Sequence, residues 1–235
     1  MEELHKEKET ISGMFDSIAG HYDFLNHFLS AGIDRSWRKK LVERSYRLSP
    51  SSILDVATGT GDLAIALAKK NRSAKIWGAD FSKERLAIGR QKVSKAGLEG
   101  RIVMEQQDAL DMPYDDGSFD VVTVAFGVRN FQDLEKGLNE MHRVLRKGGT
   151  LYVLELSMPR NPMMAWAYKF YFTRLLPFIG RLTSKSEFAY SYLPRSVMQF
   201  PSGERFLAVL RKVGYADCSA SPLTGGIATL YEARK

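Results

Sequence analysis

The chain has almost no cysteine. Cys218 is the one thiol in 235 residues, so an internal disulfide is impossible. A chain of this size without a disulfide suits a reducing compartment, and the cytosol is the expected location. Histidine is scarce too. His5, His21, His27 and His142 are scattered, and with a single cysteine they make no metal-ligand spacing. Long apolar runs are missing: no window reaches the roughly 20 residues that a spanning helix needs. The N-terminus, M-E-E-L-H-K-E-K-E-T, carries both signs of charge and no apolar stretch, so it does not read as a signal peptide. Internal repeats and low-complexity segments are absent as well.

What remains is an ordinary globular composition, 44% hydrophobic and 26% charged. The length fits one α/β domain with an insertion. The net charge of +7 favours an anionic partner. An anionic membrane surface, nucleic acid and plain solubility all remain open on charge alone. No nucleic-acid recognition motif is visible, so no nucleic-acid partner is expected.

The pattern divides the single domain into four stretches. Residues 1–49 form an N-terminal helical cap, with Phe15, Ile18, Ala19, Tyr22 and Leu25 at helical spacing. Residues 50–157 alternate strands with helices. Strands are expected at 52–56, 74–79, 101–106, 119–125 and 150–155. Helices are expected at 63–70, 83–96 (stopped by Gly97) and 134–145. Residues 158–200 are a helical insert rich in Met and aromatics. Residues 201–235 give a helix at 202–213 and strands at 216–220 and 226–232, which pair as an antiparallel hairpin at a sheet edge. The fold class is α/β: a doubly wound, mostly parallel seven-stranded sheet, Rossmann-like.

The most informative stretch is Asp55 to Leu63, D-V-A-T-G-T-G-D-L. Strand, glycine turn and helix place backbone N–H groups and a helix N-terminus at one sheet edge. Gly59 and Gly61 let a ligand approach the backbone. Gly59-Thr60-Gly61-Asp62-Leu63-Ala64 formally meets the dinucleotide fingerprint. Asp80, closing the second strand, is the acid that holds ribose hydroxyls in that reading. An NAD-dependent oxidoreductase therefore stays in view.

Taken together, Asp55–Gly61, Asp80, Asp108-Ala109 and Phe119-Asp120 resemble the successive motifs of class I S-adenosylmethionine-dependent methyltransferases. Tyr22-Asp23-Phe24-Leu25-Asn26 with Leu29-Ser30 and Trp37 resembles an N-terminal signature of the ubiquinone/menaquinone-biosynthesis C-methyltransferases. Arg143–Gly149, running to Glu155 and Ser157, is similar to their second signature, and Phe126–Asn130 is a further match. The resemblance covers nearly the whole chain. The chain departs from the pattern at Leu25, Asp34, Ala57, Ala125 and Arg146-Lys147.

The resemblance implies S-adenosylmethionine as cofactor, held by Thr58, Gly59, Gly61, Asp80, Asp108 and Ala109. A sulfonium cofactor has no phosphate, so Asp55 beside the loop is tolerable, whereas a pyrophosphate would be repelled. The implied reaction is C-methylation of a polyprenyl quinol ring: demethylmenaquinol, with a ubiquinol precursor or another small-molecule methyl acceptor as the alternatives. An aromatic carbon is a poor nucleophile until its neighbouring hydroxyl, with a pKa of ~10, gives up its proton. The candidate catalytic residues are Arg129, Asn130 and Tyr22. Arg129 either stabilises the phenolate or ties a loop to a carboxylate. Tyr22 either covers the site or packs in the core. The stretch 163–179, with Met163, Trp166 and Phe170, either fills the core or forms an interfacial helix in peripheral contact with the membrane surface. Monomer and homodimer both stay open.

Overall fold

The computed structural model describes residues 32–159, 161–170 and 187–235. Helix α1 (Asp34–Tyr46) leads into β1 (Ser52–Val56), α2 (Asp62–Lys70), β2 (Lys75–Asp80), α3 (Lys83–Lys95), β3 (Ile102–Gln106) and β4 (Phe119–Ala125). Then follow a 3-10 turn (Val128–Asn130), α4 (Leu134–Val144), β5 (Leu145–Leu156), α5 (Pro162–Phe170) and α6 (Glu187–Gln199). The chain closes with α7 (Glu204–Val213), β6 (Ala216–Leu223), a second 3-10 turn (Thr224–Gly226) and β7 (Ala228–Arg234).

The seven strands form one sheet in the order β3-β2-β1-β4-β5-β7-β6. β1 to β5 pair in parallel, and β7 runs antiparallel to both β5 and β6. The expected C-terminal hairpin is therefore present, with β6 at the edge. Its Pro222 sits where a missing N–H is tolerated. The central strands are apolar on both sides because helices cover both faces. One core joins Leu54 and Val122 to Leu138, Met141, Phe206 and Leu210 of α4 and α7. The other joins Ile53, Val121 and Leu154 to Trp37, Leu67 and Leu86 of α1, α2 and α3.

Local chemistry fixes the element ends. The Ser82 hydroxyl caps α3 by accepting from the Arg85 N–H at 3.1 Å. Gly97 takes a left-handed conformation just past its end, as expected of a stop signal. The sequence places the start of the fifth strand at Thr150, but β5 begins at Leu145. Leu145 pairs with Phe119 and Thr150 with Val121, with an irregularity between. The intervening Gly149 lies where an added Cβ would fall 2.8 Å from Leu145 and 2.9 Å from the Asp120 carbonyl.

The sheet order reverses between β1 and β4. β2 and β3 lie on one side, and β4 and β5 on the other. In an open parallel sheet such a reversal opens a crevice at the carboxyl ends of the two strands.

Candidate cofactor and substrate site

The turn after β1 opens this crevice. Ala57 and Gly59 have positive φ, and Gly61 takes the left-handed conformation that starts α2. The Thr58 N–H donates to the Ala79 carbonyl at 3.0 Å, locking the turn to β2. Its hydroxyl donates to Asp55 Oδ2 at 2.6 Å, and the Thr123 hydroxyl from β4 donates to Oδ1 at 2.8 Å. Asp55 is fully buried. Burial pushes its carboxyl up to about 6, while the two hydroxyls and the nearby Arg38 charge pull the other way. Thr123 is a residue the sequence reading missed; a lone polar residue inside the apolar run Val121–Val124 was the available signal.

Asp80 ends β2 beside the same turn. Its Oδ2 accepts from the Gly59 N–H at 2.8 Å, and its Oδ1 from the Ser82 N–H at 2.9 Å and from Arg85 Nη2 at 2.7 Å. A carboxylate offers about four acceptor positions, so Asp80 positions the turn and retains capacity for a ligand hydroxyl. Ser82, rather than Asp80, is the N-cap of α3. Arg85 was not singled out from sequence, because nothing in local spacing says that it folds back onto Asp80.

Asp108 follows β3. Its Oδ1 accepts from the Leu110 N–H at 2.9 Å, an Asx turn that fixes the loop carrying Ala109. Thr58, Gly59, Gly61, Asp80, Asp108 and Ala109 thus come from the carboxyl ends of three adjacent strands. Asp120 lies elsewhere. At the amino end of β4 it accepts from the Ser51 and Ser52 N–H groups and pairs with Arg146 at 2.8 Å, joining β1, β4 and β5.

The loop after β4 holds Arg129 and Asn130. Arg129 is buried against its own loop and the end of β5. Its side chain is 2% exposed, and Nη1 lies 2.6 Å from Glu155 Oε1 and 2.7 Å from the Phe126 carbonyl. The geometry matches the loop-tying alternative. Glu155 is itself fully buried and also accepts from the Leu156 N–H at 2.9 Å. Asn130 is half-buried, and its Oδ1 accepts from the Tyr192 hydroxyl of α6 at 3.1 Å. Tyr22 and His21 lie outside the described residues. His142 packs edge-on against Tyr215 with centroids 4.8 Å apart, away from this crevice, and burial lowers its pKa.

A strand-end crevice with three carboxylates, a glycine turn and an Arg-Asn loop is now in place. The profile of the ubiE/COQ5 methyltransferase family matches residues 1–235. The chain belongs to the ubiE/COQ5 methyltransferase family. A demethylmenaquinone methyltransferase of Bacteroides fragilis is 45% identical over 98% of this chain and 94% of its own. A ubiquinone/menaquinone biosynthesis C-methyltransferase of Geotalea daltonii is 47% identical over the full length of both. Among solved structures, a SAM-dependent methyltransferase from Aquifex aeolicus superposes with a TM-score of 0.57 at 18% identity, over 84% of this chain and 96% of that one. Phosphoethanolamine N-methyltransferase 2 from Haemonchus contortus gives 0.60 at 15% identity, over 79% and 48%. At such identities the structural likeness speaks for the fold, and membership of the ubiE/COQ5 family rests on the sequence match.

Proposed function

We propose that this ubiE/COQ5-family methyltransferase moves a methyl group from S-adenosylmethionine to a ring carbon of a polyprenyl hydroquinone, demethylmenaquinol first. The observation that carries the reading is the meeting of Asp55, Asp80 and Asp108 with the Gly59–Gly61 turn and the Arg129-Asn130 loop at one sheet edge. The substrate class comes from the names of the full-length relatives.

The donor set suits a cationic cofactor. Asp55 would repel a pyrophosphate, which counts against the NAD-dependent alternative, while Asp80 serves a ribose in either reading. When bound, the cofactor supplies an electrophilic methyl on a positively charged sulfur. Thr58, Gly59 and Gly61 would hold its amino-acid portion, Asp80 the ribose hydroxyls, and Asp108 with Ala109 the adenine. Asn130 hydrogen-bonds the quinol oxygen and favours its ionised form. Arg129 acts through the loop as a positioning residue, because its Nη1 donates to Glu155 and to the Phe126 carbonyl. The family resemblance adds Tyr22 as a further candidate catalytic residue. Rate enhancement then comes mainly from alignment in a pocket poor in water.

The quinol tail requires access to a bilayer. On α5, Met163 is 76% and Trp166 70% exposed, and residues three apart share a helix face. No helix among the described residues is long and apolar enough to cross a membrane. An interfacial helix supplies a peripheral contact, at the inner face in a cytoplasmic enzyme.

The test is transfer of labelled methyl from S-adenosylmethionine to demethylmenaquinol in liposomes, with a demethylated ubiquinol precursor alongside. Label on demethylmenaquinol is expected. Label on the benzoquinol alone would move the substrate to the ubiquinone branch. Label on neither, with cofactor bound, would overturn the quinol reading.

A further inference from the structure

Helix α1 carries a cation to the mouth of the crevice. Trp37 Nε1 donates to Thr224 Oγ1 at 2.8 Å, and its ring lies 6.2 Å from that of Phe126. One residue on, the Arg38 guanidinium sits over the same ring, 5.6 Å from its centroid. Phe126 leads into Gly127, where an added Cβ would come within 2.7 Å of Ala57 Cβ, in the turn after β1. Arg38, Phe126, Gly127 and Ala57 therefore form one continuous wall. Arg38 is also close enough for its charge to act on Asp55.

An amino-acid group brings both an ammonium and a carboxylate. The turn offers the anion Asp55, which suits the ammonium and repels the carboxylate. A carboxylate buried in this crevice needs a cation. The other cations described around it are committed elsewhere: Arg85 to Asp80, Lys92 to Thr60 and Asp62, and Arg129 to Glu155. Arg38 pairs with Asp34 through Nη1 at 2.7 Å. A guanidinium has five N–H donors in a planar fork, so a second edge remains for a bidentate carboxylate. The Phe126 ring fixes the plane of that fork.

We propose that Arg38 binds the α-carboxylate of the cofactor's amino-acid end, on the side of the turn away from Asp80. The inference rests on the cofactor reading above, in which the Ala57–Gly61 turn faces that end.

The experiment is calorimetric binding of S-adenosylmethionine and of its decarboxylated form to the full chain, wild type and Arg38→Met. The wild type is expected to prefer the intact cofactor by about 10- to 100-fold, the range of a charge-assisted pair. Arg38→Met should lose most of that preference while its affinity for the decarboxylated form stays unchanged. Equal weakening of both ligands, or an unchanged preference, overturns the assignment. Asp34 is fully buried beside Arg38, so losing Arg38 takes a cation away from its carboxylate. If the single variant does not melt cooperatively, Asp34→Asn/Arg38→Met removes that charge and is read in the same way. A wild type that binds neither ligand overturns the cofactor reading and this inference together. A wild type that binds both equally overturns Arg38 alone.

Discussion

Ala57 and Phe126 hold left-handed backbone, with φ of +52° and +59°, although neither is glycine. Each such residue costs roughly 1–2 kcal/mol, and strain of this kind persists where its surroundings over-determine it. Here Gly127, the residue after Phe126, packs directly against Ala57. We predict that Gly127→Ala destabilises the fold by about 1–3 kcal/mol, because its Cβ would meet Ala57 and Val124. Ala57→Gly removes one of the clashing atoms, so the cost of Gly127→Ala should shrink in that background. Urea denaturation of the four proteins measures it, and strict additivity would refute the contact. Asp55 gives a second prediction at this scale. Its carboxyl rises from 3.8 to about 6 on folding, so the folded state binds more protons between those pH values. Stability therefore falls as pH rises through that window, and a penalty on the order of 3 kcal/mol stands above it. Asp55→Asn lacks the charge and should gain stability at pH 8 relative to pH 4, while binding the cofactor more weakly. A gain that is the same at both pH values would show that ionisation is not the cause.

The 3-10 turn after β4 is held to the end of β5 by one buried ion pair, Arg129–Glu155. Removing one partner of such a pair leaves a stranded charge worth about 3–5 kcal/mol. Arg129→Ala should therefore lower the melting temperature by roughly 6–20 °C for a chain of this size. Arg129→Met/Glu155→Leu should recover most of that stability without recovering turnover, because the turn that presents Asn130 has lost its polar anchor. Recovery of both would remove Arg129 from any role in the reaction. The elements around this site were legible where apolar runs met glycine turns. β1, β2 and β4 lie within a residue of the expected positions, and Thr58, Asp80 and Asp108 stand at or within two residues of a strand's carboxyl end. β5 was not fully legible, since Arg146–Gly149 has the composition of a turn and its pairing with Phe119 depends on an irregularity set by the neighbouring strand. The pairings of Arg85 with Asp80, Arg38 with Phe126 and Tyr192 with Asn130 were not legible at all. Each is made by a long side chain whose direction is set by tertiary packing rather than by spacing along the chain.

At the scale of the whole molecule, the net charge of +7 and the exposed Met163 and Trp166 of α5 bear on the proposed membrane contact. Met164 packs against Gly225 in the turn before β7, and Trp37 of α1 bonds Thr224 in the same turn. Helices α5 and α1 thus meet the same turn, α5 with Met163 and Trp166 exposed and α1 with Arg35, Lys39 and Lys40 exposed. An apolar wedge beside a basic helix is the pairing that binds an anionic interface: apolar burial gives affinity, and each cation adds about 1 kcal/mol that salt screens. Met163→Ser/Trp166→Ser removes two large side chains, each worth roughly 1.5–3 kcal/mol when buried. The double variant should bind anionic vesicles at least about tenfold more weakly in co-sedimentation, at low and high salt alike. Arg35→Gln/Lys39→Gln/Lys40→Gln should weaken binding at low salt and matter little at high salt, because it removes only the screened term. Methyl transfer to a short-tailed, water-soluble quinol should be unaffected in the first variant, which leaves the crevice intact. If that activity falls in step with vesicle binding, α5 belongs to the substrate pocket rather than to the membrane face.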